Sequence, residues 1–295
     1  TLGLFVLSKG FRRYGDATSA LTLPHWLGAR YSHGGLRTFF ALLNLLLAIS
    51  FVVLIVKGSA LVMVAVLGLS YNAAVVVITL FVFSYIMIGG TYAHAYTNFF
   101  QGLLMVAVAL LIVGSGLPLL SDGLGAFFDK IAVQDPNLTK AFNPASPLYN
   151  DIWSVFITPF IFGFGLVCQP HILTKALYVR SEKELNRYLI VGAGIGFIFA
   201  SMLVAGLYAK IRFPDIAAQD GVMASYIKMA FSPYLGVPIS VALLAAGMST
   251  MDGILVSASS IAGNDLFLGA LGKRLYPDAT QEEREQRALP ASRYI

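Results

Sequence analysis

Apolar stretches long enough to cross a membrane alternate along this chain with shorter polar ones, and that alternation predicts an all-α polytopic membrane protein. A spanning helix needs about 20 mostly apolar residues. Windows of that kind run over 38–56, extendable to 69, then 73–91, 99–119, 152–170, 188–209 and 236–262. They predict six full transmembrane helices. Thr1 to Ser8, mostly apolar and ahead of Lys9, read as the end of a further helix, so the chain is expected to begin inside one. Lys273 to Ile295 is polar and simply stops, which makes 1–295 a single transmembrane domain read as cut at both ends.

The basic residues orient these helices, because cytoplasmic loops carry the excess of Lys and Arg. Loops 9–37, 171–187 and 263–295 hold fourteen of them, against five in loops 120–151 and 210–235. The first three are therefore expected to face the cytoplasm. Loop 120–151, with Pro136, Pro144 and Pro147, is expected to be a wet, irregular external segment.

Composition narrows the class further. Apolar residues make up 57% of the 295 and charged ones only 12%, about half the charged share of a soluble domain. Disordered and fibrous chains are excluded, and one cysteine, Cys168, excludes a disulfide scaffold. The net charge of +5 does not mark a nucleic-acid partner, since the cations are dispersed between apolar segments and follow topology. The expected surroundings are a lipid bilayer, in the manner of a bacterial inner (plasma) membrane protein. His25, His33, His94 and His171 fit no metal spacing, and Gly192-Ala-Gly-Ile-Gly196 lies in an apolar run where close helix packing explains it better than a dinucleotide loop. An enzyme lacks its residues here.

Several polar residues fall where hydrocarbon is expected. Ala246, Ser249 and Thr250 stand at i, i+3 and i+4 and share one helix face. At about 1.5 Å per residue, Ser249 and Thr250 lie roughly 18–20 Å from a helix end near Ala262, close to the bilayer middle. Two hydroxyls beside a carbonyl form half of a site for a small hard cation, the other half coming from unwound backbone elsewhere. The same hydroxyls also suit close helix packing. Asp252 is a functional candidate by its depth, or a structural partner of a Lys or Arg. The window 152–170 carries Pro159, Gly163, Gly165 and Pro170, which predicts a helix broken at 160–165, with Phe160, Phe162 and Phe164 positioned to gate a solute. Lys57 lies 20 residues beyond Arg37. It snorkels at the outer surface if the helix ends nearby, or pairs with Asp252 or a substrate carboxylate if the helix continues to 69.

Four segments in order resemble the sodium/solute symporter family. They are Thr22-Leu-Pro-His-Trp-Leu-Gly-Ala-Arg-Tyr31, Ile88-Gly-Gly-Thr-Tyr-Ala-His-Ala-Tyr-Thr-Asn-Phe-Phe-Gln101, Gly165-Leu-Val-Cys-Gln-Pro-His-Ile-Leu173, and Met248-Ser-Thr-Met-Asp252 with Ser259, Ser260, Asp265 and Leu266. The resemblance implies a leucine-transporter-type fold of two inverted repeats with ion and solute held midway. It implies that the first core helix and the last two are missing here. It also implies that Ser249, Thr250 and the Ala246 carbonyl bind sodium, that Phe162, Gly163, Phe164 and Gln169 face or gate the substrate, and that Thr97, Asn98, Gln101 and Asp252 line an ion pathway. Asn98 stands where the family pattern usually has Asp, and this loss of charge puts sodium against proton coupling in question.

The expected function is sodium-coupled symport of a small organic solute, a carboxylate-bearing one, by alternating access. No cofactor is expected beyond the sodium ion. Two alternatives stay open: a transporter-like sensor domain of a signalling protein, and a proton-coupled symporter.

Overall fold

The computed structural model describes residues 2–215 and 219–278 with Thr280 and Glu283, apart from the side chains of Tyr85, 87–97, Gln219, Lys273 and Arg274. Every element of the described residues is helical. Helix α1 spans Leu2–Thr18 and α2 spans Leu23–Arg30. Thr22 starts α2: its hydroxyl accepts the His25 N–H at 3.1 Å, and Pro24 sits in the first turn, where its missing N–H costs nothing. The Trp26 indole donates to the Phe11 carbonyl at 3.0 Å and stacks on the Phe11 ring, which lays α2 against α1.

Helix α3 runs over Gly34–Leu67, so the longer of the two readings of the first window holds. Gly68 ends it with φ +67°, a left-handed conformation in which a side chain would be strained. The windows 73–91 and 99–119 fall in one uninterrupted helix, α4, Tyr71–Gly114. Its 44 residues would measure about 66 Å if straight, twice a bilayer's hydrocarbon core. Ala74, Ile78 and Val82 of its first part pack with Val56, Ala60 and Met63 of α3, and Val108 and Ile112 of its last part join a separate core. The helix thus supplies two packed segments, as the two windows require.

Segment 120–151 is more ordered than expected. Helix α5, Leu124–Gln134, occupies part of loop 120–151 and buries Phe127 and Ile131. The apolar periodicity of those two residues, four apart, outweighs the proline-rich composition that follows them.

Window 152–170 does break, but not at 160–165. A π-helical turn, Trp153–Ile157, leads into α6, Thr158–Val167, which passes uninterrupted through Gly163 and Gly165. The π turn shifts the hydrogen-bond register at Pro159, so that proline interrupts nothing. The break comes at Cys168 and Gln169, ahead of α7 (Pro170–Leu173) and α8 (Lys175–Tyr178), with a bend of 66°. Pro170 is its cause. Proline forces the preceding residue out of the helical region, and Gln169 has φ −61° and ψ 137°.

Helix α9, Glu182–Ser201, is capped by Ser181, whose hydroxyl accepts the Glu184 N–H at 3.2 Å. It continues after a short turn as α10, Val204–Arg212. Helix α11, Val222–Ala230, precedes α12, Pro233–Ile261, which extends as a π-helix through Ala262–Leu271. The last window therefore underestimates its helix by a turn and more.

Two cores hold the bundle. In one, Met251 of α12 is buried with Val56, Ala60 and Met63 of α3 and Ala74, Ile78 and Val82 of α4. In the other, Ile239 and Ala242 of α12 meet Ile112, Phe127, Tyr208 and Tyr226. Helix α1 packs instead with α6, α7, α8 and α9.

Polar contacts close both ends. At one end Lys9 approaches Glu182 at 4.0 Å, and Arg37 bonds Asp265. These residues come from the three basic loops, which the fold gathers on one side. At the other end Lys57 reaches Asp220 at 2.7 Å and Ser115 bonds the Tyr226 hydroxyl at 2.7 Å.

Candidate cation and solute site

Ala246, Ser249 and Thr250 share one face of α12, as their spacing predicts. The Thr250 hydroxyl donates to the Ala246 carbonyl at 3.1 Å. That separation is a workable bite for one ion, since two oxygens about 2.4 Å from a hard cation sit roughly that far apart. The Ser249 hydroxyl donates to Oδ1 of Asn98 on α4 at 2.7 Å. Both oxygens keep lone pairs after that bond, so Ser249 and Asn98 present a second oxygen pair beside the first.

Gln101 lies one turn beyond Asn98. Its Oε1 is shielded from solvent and has no hydrogen-bond partner among the described residues. A bare carbonyl oxygen in a membrane interior is costly unless a donor or a cation reaches it. Asp252, three residues after Ser249, is 2% exposed. Ser249 and Asn98 are half-buried and Thr250 is exposed, so burial along this face of α12 deepens from Thr250 to Asp252. The Thr97 side chain lies outside the described residues.

The broken span contributes unevenly. Gln169 is buried, and the turn it begins, α7, packs against α12. Helix α6 packs chiefly on α1, where Phe164 and Val167 meet Gly3. Phe164 lies 5.1 Å from Phe160, centroid to centroid, while Phe160 and Phe162 are exposed. The structure therefore brings Gln169's turn to the helix of Ser249, and keeps Phe162, Gly163 and Phe164 on a separate wall.

Lys57 combines features of both its readings. Its helix continues to Leu67, yet the ammonium is half exposed and pairs with Asp220 rather than Asp252. About 30 Å separates it from Arg37 along the helix, one hydrocarbon thickness.

One cluster went unread in the sequence. Asp265, fully buried, accepts the Thr22 hydroxyl at 2.6 Å and Arg37 Nε at 2.7 Å, while Arg37 Nη2 donates to the Asn264 carbonyl at 2.8 Å. Three elements, α2, α3 and the π-helix after α12, are thereby tied together. Burial and the Arg37 charge hold nearby His25 below the usual imidazole range, with Asp265 partly offsetting them. The signal was available: an acidic residue at the end of a spanning helix, facing basic loops.

A bent span, a paired hydroxyl face at mid-helix and an oxygen-lined strip beside it are the architecture of a helical membrane carrier. The chain belongs to the sodium:solute symporter family, whose pattern it matches over residues 1–290. It is 28% identical over 288 residues to a sodium/pantothenate symporter of Haemophilus influenzae, a match covering 96% of this chain and 57% of that protein. It is 27% identical over 258 residues to the high-affinity proline transporter PutP of Bacillus subtilis, covering 85% and 53%. Among solved structures, a substrate-bound, outward-open Na+-coupled sialic acid symporter aligns with TM-score 0.77 at 20% identity, over 99% of this chain and 64% of that one. The fold is thus of the leucine-transporter type, and the protein is an integral protein of the plasma membrane. The chain spans little more than half the length of the relatives it matches.

Proposed function

We propose that this chain carries the hydroxyl half of the cation site of a sodium-coupled symporter for a small, carboxylate-bearing organic solute. The observation that carries the reading is the grouping of Ala246 O, Thr250 Oγ1, Ser249 Oγ and Asn98 Oδ1, with the Gln101 oxygen, unpartnered among the described residues, one turn beyond Asn98. Family membership supports sodium as the coupling ion. Pantothenate and proline, named for the relatives, both carry a carboxylate, which supports the solute class. The basic loops 9–37, 171–187 and 263–295 are assigned to the cytoplasm. Sodium bound at this face stabilises one state of the carrier by no more than its differential affinity for that state. Gln169 and the bend beside it adjoin α12 and supply the link between ion and solute.

The test is uptake of a labelled panel, proline, pantothenate, lactate and glucose, into vesicles carrying the full-length protein, with sodium or choline outside at equal pH. Accumulation of one solute only with sodium is expected. Ser249→Ala combined with Thr250→Ala raises the half-saturating sodium concentration by about tenfold or more, the loss of about 1.4 kcal/mol or more of ion–dipole coordination by the two hydroxyl oxygens. Accumulation that persists in choline and follows a pH gradient would instead assign Asn98 to a proton-coupled carrier.

A further inference from the structure

A cleft of about 440 Å³ opens between the basic end of α1 and the start of α9, away from the cation site. Lys9, Arg12, Arg13, Asp16 and Glu182 line it. Arg12 is held to Asp16 at 3.4 Å, and its side chain is only 13% exposed. Its Nε–H is shielded from solvent and has no acceptor among the described residues. A guanidinium N–H buried without an acceptor is a costly arrangement that an incoming oxyanion relieves. The contact between Lys9 and Glu182 is long, 4.0 Å, and Glu182 is 72% exposed, so that carboxylate yields readily to another anion. Gly10, exposed on the cleft's lining, leaves it open: a Cβ there would touch nothing within 4 Å among the described residues.

The helix stripe that carries these cations continues in apolar character. Leu2, Val6, Lys9 and Arg13 follow one another at i, i+4, i+7 and i+11 and therefore share a face of α1. Leu2 and Val6 are both exposed. A ligand that fits the stripe has an anionic head and an apolar tail. Three cations and two carboxylates leave the lining at net +1, which matches the single charge of a phosphodiester better than that of a polyphosphate.

We propose that this cleft seats the phosphate of an anionic phospholipid, with its acyl chains along Leu2 and Val6. The phosphoryl oxygens accept from Arg12 Nε, Lys9 and Arg13, and Glu182 swings to solvent. The cytoplasmic leaflet follows from the orientation given above, whereas the binding itself does not depend on it.

Native mass spectrometry of the full-length protein in mild detergent tests this, with equimolar phosphatidylglycerol and phosphatidylcholine of matched acyl chains. A preference for phosphatidylglycerol of about 25-fold is expected, from Lys9 and Arg13 at roughly fivefold each near an anionic headgroup. Lys9→Gln with Arg13→Gln abolishes the preference; Lys9→Arg with Arg13→Lys keeps it. Arg13→Gln alone, at an exposed side chain, reduces it about fivefold and serves where the double variant fails to fold. Millimolar inorganic phosphate leaves the adduct in place. Equal retention of the two lipids, a preference indifferent to Arg13→Gln, or displacement by inorganic phosphate alone would each overturn the proposal, the last by making the cleft a free-anion site.

Discussion

Replacing Arg37 by Met removes the cation that faces a fully buried carboxylate. Asp265 is 0% exposed and Arg37 only 24%, so the pair sits where solvent screens it little. The loss has two parts: the Nε bond to Asp265 at 2.7 Å and the Nη2 bond to the Asn264 carbonyl at 2.8 Å. Breaking one side of a buried pair costs about 3–5 kcal/mol, because the remaining charge stays desolvated. Thr22 still donates to Asp265 and limits the damage, since a hydrogen bond to a charged group contributes about 1.5–3 kcal/mol. A net destabilisation of about 3 kcal/mol follows for Arg37→Met. Arg37→Met with Asp265→Leu removes both charges; the Thr22 hydroxyl loses its acceptor but keeps the His25 N–H, and the Asn264 carbonyl loses the guanidinium donor, at about 1–2 kcal/mol. The double variant is thus more stable than the single one. Equilibrium unfolding in mixed micelles, titrated with SDS and followed by circular dichroism, measures both. A cost below about 1 kcal/mol for Arg37→Met, or additivity of the two substitutions within about 0.5 kcal/mol, would refute the reasoning.

Two further outcomes follow from the packing and the charges. A Cβ on Gly247 would collide with the Ser59 hydroxyl across the contact between α3 and α12, so Gly247→Ala destabilises by about 1–3 kcal/mol and Ser59→Ala restores most of it; failure of that rescue in the same titration would place the strain elsewhere. His25 is depressed by burial and by Arg37, so the unfolded chain takes up its proton first as pH falls below 6.5. Stability therefore declines with acid from that point until the folded-state value is passed, and His25→Gln flattens the decline; an unchanged pH profile in the variant would remove His25 as its source.

The sequence made the hydroxyl face of α12 legible because helical periodicity alone brings Ala246, Ser249 and Thr250 together, with no partner helix needed. Contacts across the chain were harder. That Ser249 bonds Asn98, 151 residues earlier, follows only once α4 lies against α12. The break in the second half was read from composition, and composition misplaced it. Gly163 and Gly165 stay helical, since in an apolar setting every backbone group gains by keeping its internal bond. Pro170 acts through the geometry it imposes on Gln169, a more local and more reliable rule. The ion pairs show a third limit. Lys57 and Asp265 were visible as charges, but the partner of each lies on another helix or loop, and apolar windows say nothing about which.

The contact between α3 and α12 has a mechanical consequence. These two helices are clamped at one end by Arg37 and Asp265, meet closely at Gly247 and Ser59, and share the core of Val56, Ala60 and Met251 with the first part of α4. Elements pinned at an end and interlocked at mid-length resist both sliding and twisting, so they move as one stiff beam. Among the described residues, helix α1, with α6 and α9, is joined to that beam at three places: through α2, through the contact of α9 with α4, and through the short turn at Pro170. The 66° bend is thus one of three joints between the two groups of helices, and loosening any single joint leaves the other two in place.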